Sequence, residues 1–238
     1  MDTQAKVFET LDRQQRVRHP RLTEAKLWFA FSLIGIGVAI VAFLMMLAEE
    51  SLVAIKGEVF EYLTVSGSVM SNFVFFMMFS VVLATSAAML TVYVGPKAAG
   101  SGIPEMIGCL NGLRVEEYLT PTVLVVKAVG VILAIAGTLV IGKEGPLAHI
   151  GAIIAIIVMF SPIRIEEFRT NVRYREFVAA GISAGVSVAF GAPMGGALFA
   201  YELSGPSTFW TFKLIWRNFF CASIASFSLA VMVALSTG

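Results

Sequence analysis

The sequence predicts an all-α polytopic membrane protein built from tilted and discontinuous helices. Three observations carry that prediction. Apolar residues make up 58% of the chain against 14% charged, and the mean hydropathy is +0.85, far from the soluble average. The apolar residues gather into runs at 27–48, 69–94, 120–141, 147–160, 178–203 and 212–236. Several of these runs are too short, or too broken by Gly and Pro, for the ~20 residues that a simple membrane span needs.

Residues 1–26 hold Lys6, Arg13, Arg16, Arg18, Arg21 and Lys26 against Asp2, Glu9, Asp12 and Glu24. A basic flank before the first long apolar run predicts a cytoplasmic N-terminal segment. No secretory signal pattern fits, because the first apolar run begins near Leu27 and is too long for a cleavable core. Residues 27–238 then form the membrane domain. The 147–160 run follows Pro146 directly, and the 178–203 run is interrupted by Gly181, Gly185, Gly191, Pro193, Gly195 and Gly196. Irregular backbone at membrane depth is tolerated where protein or water covers it, so these interruptions are expected to line a site. Charged stretches at 96–117 and 161–177 separate the runs. The mixed signs of the second, with Arg164, Glu166, Glu167, Arg169, Arg173, Arg175 and Glu176, predict a solvated loop or surface helix. Isolated glycines such as Gly35, Gly37, Gly130 and Gly137 read as close helix packing. Cys109 and Cys221 have neither metal-ligand spacing nor a disulfide framework, and read as small packing residues.

Two glycine-flanked breaks carry the candidate chemistry: Gly100-Ser101-Gly102-Ile103-Pro104-Glu105 and Gly142-Lys143-Glu144-Gly145-Pro146. Each is predicted to start a helix at or within membrane depth. Helix N-termini present unpaired N–H groups and the positive end of a dipole, which suits them to a small anion. In the first string glycine frees the backbone, Ser101 adds a hydroxyl donor and Pro104 fits a first helical turn. In the second, Glu144 is an ionisable side chain at the head of an apolar helix, costly to keep there without a task. Its carboxylate could occupy the same cradle as the anion, competing when charged and leaving when protonated. Lys143 adds positive potential or snorkels to water. No metal or cofactor is expected, nor a nucleic-acid partner. Cation transport is disfavoured because the breaks offer N–H groups and Lys143 rather than a carboxylate cluster.

These strings resemble the CLC family of chloride channels and chloride/proton exchangers. The likeness continues through Leu147-Ala148-His149-Ile150-Gly151 and through Gly191 to Glu202, and covers most of residues 28–238. It implies that Gly100, Ser101, Gly102, Ile103 and Pro104 converge with Gly142, Lys143, Gly145 and Pro146 on an anion site, with Glu144 as the gate. Ser101 matches a serine of the central chloride site, where proline goes with nitrate preference. Leu203 stands where exchangers place a proton-passing glutamate, and Glu202 matches a glutamate shared by channels and exchangers. A leucine carries no proton, so the expectation is channel-like chloride conduction, sensitive to voltage and pH. The alternative is chloride/proton antiport.

The resemblance also implies that this chain is the first of two inverted repeats, with the second repeat and the cytoplasmic nucleotide-sensing domains absent. A truncated or regulatory half-molecule without transport is therefore another expectation. A homodimer is implied if the second half is present, and the 201–220 stretch looks most like the eukaryotic intracellular-vesicle branch, so a vesicle or lysosome-like membrane is favoured. A remote reading from another class makes Ser101 the nucleophile and His149 the base of an intramembrane serine hydrolase. Against it, position 99 is Ala, which breaks the Gly-x-Ser-Gly pattern, and His149 reads as a hydrogen-bonded structural histidine.

Overall fold

A computed structural model describes residues 20–66, 69–113, 117–161, 171–205 and 210–237, and within them every regular element is helical. Helix α1 is Pro20–Ser66 and α2 is Val69–Tyr93. A 3₁₀ turn, Pro96–Ala98, leads to the eight-residue α3, Ile103–Leu110. Then come α4 (Pro121–Ala136), α5 (Glu144–Phe160), α6 (Asn171–Phe190), α7 (Pro193–Leu203) and α8 (Phe212–Thr237). Among the described residues three helices are long and apolar enough to cross a membrane: Glu24–Thr64, Val69–Tyr93 and Phe212–Ser236. By contrast α4, with 16 residues, rises only about 24 Å, short of the ~30 Å hydrocarbon thickness.

Helix α1 shows what the surrounding medium is. Leu27, Ala30, Phe31, Ile34, Val38, Ala42 and Met45 recur every three or four positions and are buried, while Trp28, Phe29, Ile36, Ile40 and Leu44 point outward. A helix apolar on its inner and outer faces alike is matched to hydrocarbon rather than water. The same holds for α2, which buries Ala87 yet exposes Phe73, Met77, Met78, Val81 and Val82. In α1 the helix continues without a break across the expected boundary near residue 26.

The core is the α5–α6 pair, with α7 and α8 packed beside it. Small residues let the backbones touch: a Cβ on Gly151 would collide with the Gly181 carbonyl, one on Gly185 with the Leu147 carbonyl, and one on Gly196 with the Ser183 carbonyl. This corrects the expectation for 178–203. Gly181 and Gly185 lie inside the continuous α6 and serve packing, so the run is interrupted solely at Gly191-Ala192, where Gly191 takes a φ of +64° before Pro193 opens α7. Gly35 behaves as expected, since a Cβ there would lie 2.8 Å from the Cys221 carbonyl oxygen.

The charged stretch at 161–177 also differs from expectation where it is described. Arg173 and Glu176 are 5% and 6% exposed and form a buried ion pair one turn apart on α6. Pairing within one helix lets both charges enter the core together. Arg164, Glu166, Glu167 and Arg169 lie outside the described residues, as do residues 1–19 of the N-terminal segment. The buried Arg217 of α8 donates to Glu24 of α1 at 2.6 Å. This ties the first described helix to the last.

Candidate functional site

The first break is a wound loop that opens α3. Gly100 and Gly102 have φ values of +69° and +87°, a left-handed region that favours glycine, and Gly102 is the N-cap of α3. The Ser101 Oγ accepts from the Ile103 N–H at 3.3 Å, which leaves its own O–H proton to be donated elsewhere. Pro104 sits in the first turn, as its missing N–H requires.

Behind this loop lies a polar cluster in an otherwise apolar setting. Lys127 of α4, 3% exposed, donates from Nζ to the Gly100 carbonyl oxygen at 3.0 Å. Tyr118 donates its hydroxyl to Glu105 at 3.0 Å and stacks flat on His149, with ring centroids 4.2 Å apart and planes 11° apart. His149 is fully buried. Its Nε2 faces the Tyr118 carbonyl at 3.2 Å, while Nδ1 has no partner among the described residues and lies against Gly102. The imidazole is thus a packing and hydrogen-bonding element of the loop's floor, with no bond to Ser101 among the described residues.

The second break opens α5. Lys143 is the N-cap and Glu144 the first helical residue, and the Leu147 N–H closes the first turn on the Lys143 carbonyl at 2.9 Å. No side chain caps this end. The Glu144 carboxylate folds back over Gly142, into space that a Cβ at that position would fill. Lys143 reaches outward to Glu49 of α1, with Nζ 3.8 Å from Oε2.

The two breaks meet. A Cβ on Gly145 would lie 2.7 Å from the Ser101 Cβ, and one on Gly102 would lie 2.6 Å from the His149 Nδ1, so the loop that opens α3 rests on the first two turns of α5. Two positive helix ends and one hydroxyl therefore share a junction, with one carboxylate beside it, an arrangement with the right polarity for a small anion. Pro104 is exposed and Ile103 partly so, whereas Pro146 is buried. Leu203 ends α7 on another part of the bundle, and Glu202 beside it is exposed. Sequence reasoning missed Lys127 and Tyr118, and named Glu105 in the first string without giving it a role. The signal for Lys127 was present: it is the one charged residue in the 120–141 run. Among the described residues no group of His, Cys, Asp and Glu side chains could hold a metal ion.

The family model described as voltage gated chloride channel matches residues 81–237. The Homo sapiens protein named H(+)/Cl(-) exchange transporter 7 is 34% identical over 242 residues, covering 96% of this chain and 30% of the human protein. An Arabidopsis thaliana protein named putative chloride channel-like protein CLC-g is 34% identical over 214 residues, covering 87% of this chain and 28% of that protein. A crystal structure of a eukaryotic CLC transporter is similar with a TM-score of 0.79 and 26% identity, over 87% of this chain and 38% of the other. The chain thus spans less than a third of the length of these two curated relatives.

Proposed function

We propose that this chain, which belongs to the voltage gated chloride channel family, contributes the first half of a chloride pathway and that transport along it is exchange against protons. The contact between Ser101 and Gly145 carries the anion reading, because it brings the positive ends of α3 and α5 to one place. Gly100 to Pro104 and Gly142 to Pro146 are the anion-binding strings in this reading. Glu144 is the gate: a carboxylate at the head of α5 competes with chloride for the same N–H groups and withdraws when protonated. Protein outside this chain would complete the pathway, in a homodimer of an intracellular vesicle membrane with the N-terminus cytoplasmic.

Proton exchange is supported by the printed name of the human relative, and moves the reading away from the uncoupled conduction expected from sequence. One observation favours the second reading, uncoupled conduction. Leu203 has no group that can carry a proton, so exchange requires a proton route that bypasses that position.

Reconstitution decides between them. Liposomes holding the full-length protein that carries this segment should release chloride, and a chloride gradient should drive protons uphill in fixed proportion. Glu144→Gln should abolish the proton movement. Chloride release with no proton movement in the parent would establish the second reading, and no chloride release would overturn both.

A further inference from the structure

We infer that Lys127 is a positioning residue that locks the peptide between Gly100 and Ser101 in one orientation, and thereby sets which anions the Ser101–Gly145 junction accepts. The inference rests on the reading that this junction takes chloride.

Gly100 is exposed, holds a φ of +69° and has no atom within 4 Å of where its Cβ would be, so packing does not fix it. A glycine flanked in this way can rotate its peptide planes at little cost. What holds the plane is the hydrogen bond from Lys127 Nζ to the Gly100 carbonyl oxygen, 3.0 Å long. The peptide is planar and trans, so its C=O and the following N–H point in opposite directions. With the carbonyl drawn back onto Lys127, the Ser101 N–H is turned away from α4. Rotation of the same plane would bring the carbonyl's negative end forward in place of the N–H, and a carbonyl repels the anion that an N–H attracts.

The cost of the arrangement supports a task. A lysine 3% exposed in the middle of an apolar helix is expensive, and one carbonyl does not offset it. Beside it Glu105 accepts from Tyr118, which stacks on His149. Every member of this cluster lies behind the same three-residue loop. Among the described residues the one hydrogen bond Lys127 makes is to the Gly100 carbonyl, so its contribution is the direction it imposes on that backbone. Lys97, three positions before Gly100, is the natural contrast: it is exposed and paired with Glu117 at 2.8 Å.

The test is isothermal titration of the detergent-purified full-length protein with sodium chloride and sodium thiocyanate, for the parent and for Lys127→Met, Lys127→Arg, Lys97→Gln and Tyr118→Phe. Loss of the pin should weaken chloride by about tenfold in Lys127→Met, the scale of a hydrogen bond to a charged group. It should also shrink the preference for chloride over thiocyanate, because a rotating peptide no longer fits the smaller ion. Lys127→Arg, which keeps a charged donor, should restore most of both. Lys97→Gln should match the parent. Should Lys127→Met not fold, Tyr118→Phe loosens the same floor by one hydroxyl and should move the preference in the same direction. Equal weakening of both anions would mark a purely structural role and overturn the inference, as would an unchanged preference in the folded variants. A parent that binds no chloride would overturn the anion reading itself, and the inference with it.

Discussion

The two glycine-flanked breaks follow similar rules of sequence yet are built differently. At Gly100–Pro104 the loop is backed by a buried floor of Lys127, Glu105, Tyr118 and His149, and its left-handed Gly102 is pressed against two of those side chains. Neither helix end has a side-chain cap, but at Gly142–Pro146 the Glu144 carboxylate rests over a glycine and Lys143 pairs with Glu49 across a partly exposed gap. The first is backed by buried side chains and the second by a partly exposed ion pair. What separates them is the material behind the backbone rather than the glycines in it.

The comparison can be broken most severely at Gly102. Valine there faces a left-handed φ of +87° and a Cβ 2.6 Å from the His149 Nδ1 and 2.8 Å from the Tyr118 hydroxyl. Backbone strain and overpacking together should cost about 2–5 kcal/mol. The expected readout is loss of the folded, monodisperse protein, or a large fall in the unfolding midpoint in a denaturing-detergent titration. Next is Gly145→Ala, which pushes a methyl into Ser101 from 2.7 Å and wedges the two helix ends apart. A loss of about 1–3 kcal/mol is expected, with chloride affinity falling because the two N-termini no longer converge. Gly100→Ala sharpens the contrast within a single loop. Its φ is +69°, but nothing stands near the new methyl, so the backbone cost alone of about 1–2 kcal/mol should appear. A Gly100→Ala loss as large as that of Gly102→Val would mean that the buried floor is not what makes the first break rigid.

Much of this was legible beforehand for a physical reason. Gly-x-Gly and Gly-Pro punctuation is local, so the starts of α3 and α5 could be read from a few adjacent residues, with Pro104 and Pro146 both in first turns. Packing between distant segments was not local, and there the reading failed. Gly181 and Gly185 look like interruptions in one dimension, yet each meets a backbone carbonyl of α5 and lies inside an unbroken helix. Arg173 and Glu176 look solvated as a mixed-sign string, yet they neutralise each other inside the core. Lys127 serves a carbonyl 27 positions earlier in the chain, so its role could not be inferred from its neighbours. Its presence in a run without other charge was the one sign available.

The smallest expected effect probes the looser break. Lys143 and Glu49 approach to 3.8 Å with side chains 43% and 24% exposed, so water screens the pair and its contribution to stability should stay under about 1 kcal/mol. Glu49→Gln should therefore leave the unfolding midpoint nearly unchanged. What should change is the position of the ammonium, because Lys143 released from α1 is free to turn toward Glu144, its neighbour in sequence. An ammonium turned onto that carboxylate should hold it over Gly142, so chloride release through the proposed pathway should slow at a given pH. The two readouts together test the comparison. A small stability change with slowed release fits a looser helix end, whereas a stability loss matching that of Gly145→Ala would show that the second break is framed as firmly as the first.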